Sequence, residues 1–192
     1  MVSRYYRNRL ESVLGTADED SLAKVSNNWL THSMLLDEVA KSVRKSGQKL
    51  DSEIEGEAGL AMVAKFNAIS DKLELDSADM KKGSGALGLA QSAALEAIKT
   101  RNGIMLSGPM NQMPTKPEGP TPGTQATPEQ ETAMANYNSG VTQYLANEQM
   151  YEDNARKALE AMDKEYTTQT LVMKEIHGEP DPEEPSDRPG PD

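Results

Sequence analysis

The chain has 192 residues, with 20 Lys+Arg against 31 Asp+Glu, two His, one Trp, one Phe and no Cys. A net charge of −11 argues against nucleic acid, whose phosphate backbone needs clustered Lys/Arg, and the missing Cys excludes disulfides, thiolate metal sites and cysteine nucleophiles. Apolar residues at 36% and aromatics at 4% are low for a compact globule and point to elongated helices or partial disorder.

The first ten residues, MVSRYYRNRL, are basic and lack the apolar core of a secretory signal, so residues 1–17 read as an N-terminal basic segment. No apolar run of roughly 18 residues occurs anywhere, and no membrane span is expected. All 11 prolines lie at or after Pro109, which leaves a long stretch suited to uninterrupted helices. The first opens at Asp18-Glu19-Asp20-Ser21, where carboxylates meet the positive end of the helix dipole. Leu22, Trp29, Leu36, Val43 and Leu50 then recur every seventh residue, with Val25, His32 and Val39 three residues on and Ser46 breaking that second row. The spacing predicts a helix over 18–53, with Gly47 weakening its last turns.

Glu55-Gly56-Glu57-Ala58-Gly59 reads as a tight turn. A second heptad follows through Phe66, Leu73, Met80, Leu87 and Ala94, giving a helix over 57–101. Its companion row holds Met62, Ile69, Ala90 and Ala97 and is interrupted by Asp76 and Gly83. Gly83-Ser84-Gly85 and Gly88 admit two readings, a kink or a smooth patch for close approach of another helix. Two heptad helices joined by a short turn should run antiparallel (a hairpin over 18–101) and bury their seams against each other.

Six prolines between Pro109 and Pro128 mark 108–128 as an extended, mobile loop. Pro128-Glu129-Gln130-Glu131 starts a third helix, 129–176, with Gly140 as a possible break. Along it, Tyr137, Tyr144 and Tyr151 form a heptad of tyrosines able to dock the helix onto the hairpin. Residues 177–192 hold the other five prolines and are acidic, a composition that cannot bury enough apolar surface to fold. The expected fold is therefore all-α: an elongated antiparallel hairpin, a third long helix alongside completing a bundle domain over 18–176, and a disordered tail or linker.

Chemistry is sparse. His32 lies mid-helix with no Cys, Asp or second His at ligand spacing, which reads as a packed or partly solvated histidine, and His177 is terminal. Glu53, Glu55 and Glu57 read as the solvated end of a hairpin. No serine has an activating base at motif spacing, and Gly83-Ser84-Gly85-Ala86-Leu87-Gly88 sits in helical context, not after a strand. No enzyme activity, cofactor or metal is expected. Trp29, Tyr137 and Tyr151 are each either core residues or partner anchors.

A long helix over 22–49, the turn Ile54-Glu55-Gly56-Glu57-Ala58-Gly59 and a second long helix resemble the hairpin of WxG-type small proteins and PPE-type domains exported by type VII (ESX) secretion in actinobacteria. Ile54 stands where that turn carries Trp, with Gly56 at the Gly position. Asn147-Glu148-x-x-Tyr151-x-x-Asn154-Ala155 and Ala161-Met162-x-x-x-Tyr166 are similar to a late bundle helix of the larger members. Tyr144-Leu145-Ala146-Asn147-Glu148 fits the pathway's Y-x-x-x-[D/E] export motif, and no other Tyr here does. The resemblance implies a secreted or secretion-targeting helical protein, leaving by a signal-peptide-independent route or cytoplasmic before export. Its implied partners are a secretion ATPase and a small WxG-type helical protein, or a second copy. The tail reads as a linker to a further effector domain. An intracellular coiled-coil adaptor or chaperone is the competing expectation.

Overall fold

The computed structural model describes residues 4–15, 18–54, 56–108, 111–120 and 125–177. They form four helices: α1 (Tyr5–Gly15), α2 (Glu19–Glu53), α3 (Glu57–Ser107) and α4 (Pro128–His177). No strand occurs among the described residues, so the class is all-α, as expected. Helices α2 to α4 start and stop within a few residues of the expected bounds, except that α3 runs on to Ser107. α1 lies in the basic segment, where no element was expected; its apolar signal is only Leu10 and Leu14, too short to read as a repeat. Of the expected loop, 111–120 and 125–127 carry no helix or strand. Glu55, residues 109–110 and 121–124 of the loop, and 178–192, hence all of the expected disordered tail but His177, lie outside the described residues, while Pro128 and His177 are the ends of α4.

The chain divides into two compact units, Met1–Ala17 with Ala93–Asp163 and Asp18–Ser92 with Lys164–Asp192. α3 and α4 each contribute a segment to both.

In the unit that contains α2, the start of that helix is capped by Asp18. Its Oδ1 accepts from the Ser21 N–H at 2.9 Å and its Oδ2 from the Ser21 hydroxyl at 2.6 Å. Those bonds to the ionised form hold the Asp18 carboxyl below its ordinary pKa. At the far end Ile54 is extended and donates its N–H to the Leu50 carbonyl at 2.9 Å. Gly56 then turns the chain at φ +92°, a left-handed conformation open to glycine. Its carbonyl accepts from Leu60 N at 3.2 Å, which starts α3.

α2 and residues 57–92 of α3 run antiparallel, as their paired contacts require. Ser26 Oγ donates to the Ser84 carbonyl at 2.9 Å, Ser77 Oγ to the Ser33 carbonyl at 2.8 Å and Ser70 Oγ to the Ala40 carbonyl at 2.9 Å. Next in line, Gly47 faces Phe66, whose Cβ lies 2.9 Å from where a glycine Cβ would stand. The seam is therefore half-buried Ser26 and buried Ser33, Ala40 and Gly47 against buried Ser84, Ser77 and Ser70, a heptad of small residues. This corrects the expectation that the two large-residue rows bury each other. Leu22, Trp29, Leu36, Val43 and Leu50 are only half-buried, and Val25 and Val39 are 42% and 49% exposed. The physical reason is proximity: serine, alanine and glycine let the backbones approach until hydroxyls reach the facing carbonyls, which turns the larger side chains to the flank.

In the other unit the buried apolar residues are Leu10 and Leu14 of α1, Ala94 and Ala97 of α3, and Tyr151, Ala155 and Met162 of α4. α4 passes through Gly140 without a break, and Pro114 of the preceding loop packs where a side chain would stand, its Cγ 3.1 Å from that Cβ position.

Candidate functional site

The first candidate is one side of the α2–α3 pair. Because Ser33 faces Ser77, the residues just before them, His32 and Asp76, turn to a common side. The same holds for Val39 and Ile69 beside Ala40 and Ser70, and for Met62 opposite Ser46. Val39, Ile69 and Met62 are 49%, 52% and 46% exposed, and Leu36, Val43, Phe66 and Leu73 stand half-buried between them and the seam. The opposite side carries charge, with Arg44 paired to Asp71 at 2.5 Å and to Glu74 at 3.0 Å. The pair is thus amphipathic, with an open apolar strip that runs from Leu36 and Leu73 to Met62 and is bounded toward Trp29 by exposed His32 and by Asp76, itself paired to Lys72 at 2.6 Å.

Trp29 stands at one end of this strip. Its ring lies on the bare backbone of Gly83 and meets the His177 ring edge-on at 5.3 Å, and nearby Lys82 pairs with Glu175 at 2.6 Å. The smooth patch at Gly83 therefore receives a tryptophan side chain, and α3 is helical throughout. Trp29 is half-buried. α4 ends at His177, beside Trp29. From Trp29 to Ile54 the hairpin extends a further ~37 Å at 1.5 Å per residue. The hairpin-turn residues Ile54 and Gly56 are both exposed.

The second candidate surrounds the expected motif residues Tyr144 and Glu148. Tyr144 and Tyr137 are half-buried, and Tyr151 is buried beneath the Arg7 guanidinium, which lies 5.9 Å from its ring centroid. Glu148 is only 3% exposed. The contacts that bury it are direct: Arg7 Nη2 donates to its Oε2 at 2.6 Å, Arg4 Nη2 lies 3.4 Å away, and Asn111 Nδ2 donates to Oε1 at 3.0 Å. Asn111 also donates to the Tyr144 carbonyl at 3.3 Å and accepts from Asn147 at 3.1 Å, so the loop before α4 is tied to this cluster.

One turn on, Glu152 is 5% exposed. Its carboxylate accepts the backbone N–H of Tyr6 at 2.6 Å and of Arg7 at 3.4 Å, capping α1 from a different helix. The hydrogen bond from Arg7, opposed by burial, holds the Glu148 carboxyl below its ordinary range. Burial would lower the Arg7 pKa, but the two carboxylates outweigh it and raise the net value. The sequence reading missed Arg7 and Glu152, because nothing in the spacing of residues 145 positions apart brings them together. A fainter signal was present: Glu148 and Glu152 lie one turn apart, and so share a helix face.

Among the described residues no cluster of three or more His, Cys, Asp and Glu is placed to hold a metal, and no helix is long and apolar enough to cross a membrane. An open cleft of about 580 Å³ between α3 and α4 is lined by Glu96, Lys99, Tyr151 and Lys157, and its Glu96 already pairs with Lys99 at 3.3 Å. Neither protein-family models, nor curated proteins, nor solved structures match this chain.

Proposed function

We propose that this chain is a non-enzymatic helix-docking protein, a secreted protein or secretion-targeting module of a type VII-like system. Its hairpin and α4 would form a WxG/PPE-like bundle. The observation that carries the reading is the open apolar strip of Leu36, Val39, Val43, Met62, Phe66, Ile69 and Leu73 beyond the end of α4. A contiguous strip of this kind on a hairpin two helices thick marks an interaction site, and a helix with its own heptad row fits it. The occupant in this reading is a small helical partner, with a second copy of the chain as the other outcome of the test. Tyr144 and Glu148 supply the export signal, delivered to a secretion ATPase.

The test is made in the native host on Val39→Lys and Ile69→Lys, whose side chains are exposed and whose loss leaves the serine seam intact. Both variants should keep the helical spectrum while losing the co-purifying partner and secretion. Secretion and partner binding at the normal level in both would refute the docking surface.

The burial of Glu148 favours a second reading, an intracellular coiled-coil adaptor using the same strip, because a carboxylate locked to Arg7 is not presented to an export receptor. Normal export of well-folded Tyr144→Ala and Glu148→Gln proteins would dismiss the motif. A protein that binds its partner but never leaves the cell would establish the adaptor.

A further inference from the structure

We infer that Glu148 and Glu152 form a receptor for the first turn of a basic helix, and that α1 occupies it as an exchangeable ligand in cis. The inference does not depend on the export reading.

The contacts recognise a helix end, not only a sequence. Glu152 takes two backbone N–H groups that any helix start leaves free, those of Tyr6 and Arg7. Glu148 takes the guanidinium of Arg7 and lies within ion-pair reach of Arg4, so two nearly buried carboxylates face two arginines from one short segment. Leu10 and Leu14, 1% and 4% exposed, set the register one and two turns further on. The ligand class is therefore a helix of the pattern Arg4-x-x-Arg7-x-x-Leu10-x-x-x-Leu14.

Two facts argue that the ligand is separable. An 11-residue helix is too short to persist alone in water, so α1 is helical because this site holds it. Its fully buried apolar side chains are two leucines, with Tyr6 and Val13 half-buried, against four successive heptad contacts that join α2 to α3. Membership of the same chain gives α1 a high effective concentration, which keeps the site filled in cis. A partner helix of the same pattern would have to displace α1 to enter.

The test uses the full chain with a protease site inserted between Gly15 and Asp18, cut after purification. A fluorescent peptide of residues 4–15 is then added and its anisotropy followed. The cut chain should keep its helical signal and exchange α1 for the peptide, while the uncut chain binds it far more weakly. An Arg7→Ala peptide should bind at least tenfold more weakly, and Glu152→Gln in the chain should weaken the normal peptide similarly. Loss of helical signal on cutting would overturn the inference by making α1 an integral part of the unit. Failure to exchange, or equal binding of the Arg7→Ala peptide, would overturn it as well.

Discussion

Gly83 and Gly85 lie two residues apart in α3, and the structure predicts opposite outcomes for the same substitution. Alanine replaces glycine in a helix interior with a gain of about 1 kcal/mol, mostly backbone entropy. At Gly85 nothing lies within 4 Å of the new Cβ, so Gly85→Ala should collect that gain. At Gly83 the Cβ would enter the Trp29 ring, against Cζ3 and Cε3, with Cη2 at 3.3 Å. The ring is rigid and is flanked by His177, so it must swing off the helix or the helices must part. Overpacking of this kind costs about 1–3 kcal/mol, which cancels or exceeds the propensity gain and leaves Gly83→Ala with a net loss of roughly 0–2 kcal/mol. For a chain of this size, 1 kcal/mol corresponds to roughly 2–4 °C in Tm. Thermal melts followed at 222 nm should show Gly85→Ala raised by about that amount and Gly83→Ala not raised but lowered, by up to roughly 8 °C. Emission from Trp29, the chain's one tryptophan, should shift red in Gly83→Ala alone. A Tm gain in Gly83→Ala matching that of Gly85→Ala, with emission unchanged, would refute the packing of Trp29 on this backbone.

The remaining expectations follow from the same contacts. Ser77→Leu should cost about 1–3 kcal/mol by forcing the serine seam apart, whereas Ser77→Ala should lose only ~1 kcal/mol with its bond to Ser33, as urea melts can measure. Trp29→Ala, at a half-buried position, should cost less than the 3–5 kcal/mol typical of a fully buried ring, about 1.5–3 kcal/mol by equilibrium unfolding. Glu148→Ala should be severe, of order 3 kcal/mol, because it leaves the Arg7 guanidinium only its 3.5 Å approach to Glu152, and the double variant with Arg7→Ala should recover part of the loss. The folded Glu148 pKa is depressed, so its stabilisation is present above the ordinary carboxylate value near ~4.3 and is lost as pH falls through the folded value. An acid titration should therefore release α1 in the wild type, and Arg7→Ala should remove that acid-sensitive component.

Local physics determined where the long helices lie. Proline confined to 109 onward, the Asp18 cap, the glycines at the turn and the acidic first turn of α4 are signals whose partners sit within a few residues, and the element bounds follow from them. Heptad spacing likewise made one face of α2 and of α3 apolar. What the spacing left open was which residues of that pattern meet. Large side chains suggested a Leu/Val seam, yet the helices close on Ser26, Ser33, Ala40 and Gly47, because small residues permit a shorter separation and bring hydroxyls to the facing carbonyls. That choice pushed Val39, Ile69 and Met62 outward and made an open strip from residues that read as core. The carboxylate site lay further out of reach: nothing local to Glu148 marks it as buried, and only a helix 141 residues earlier in the chain supplies the arginine that pairs with it. Helix position is set by contacts local in sequence, whereas burial and charge pairing depend on which distant segments come together, and tertiary packing alone decides that.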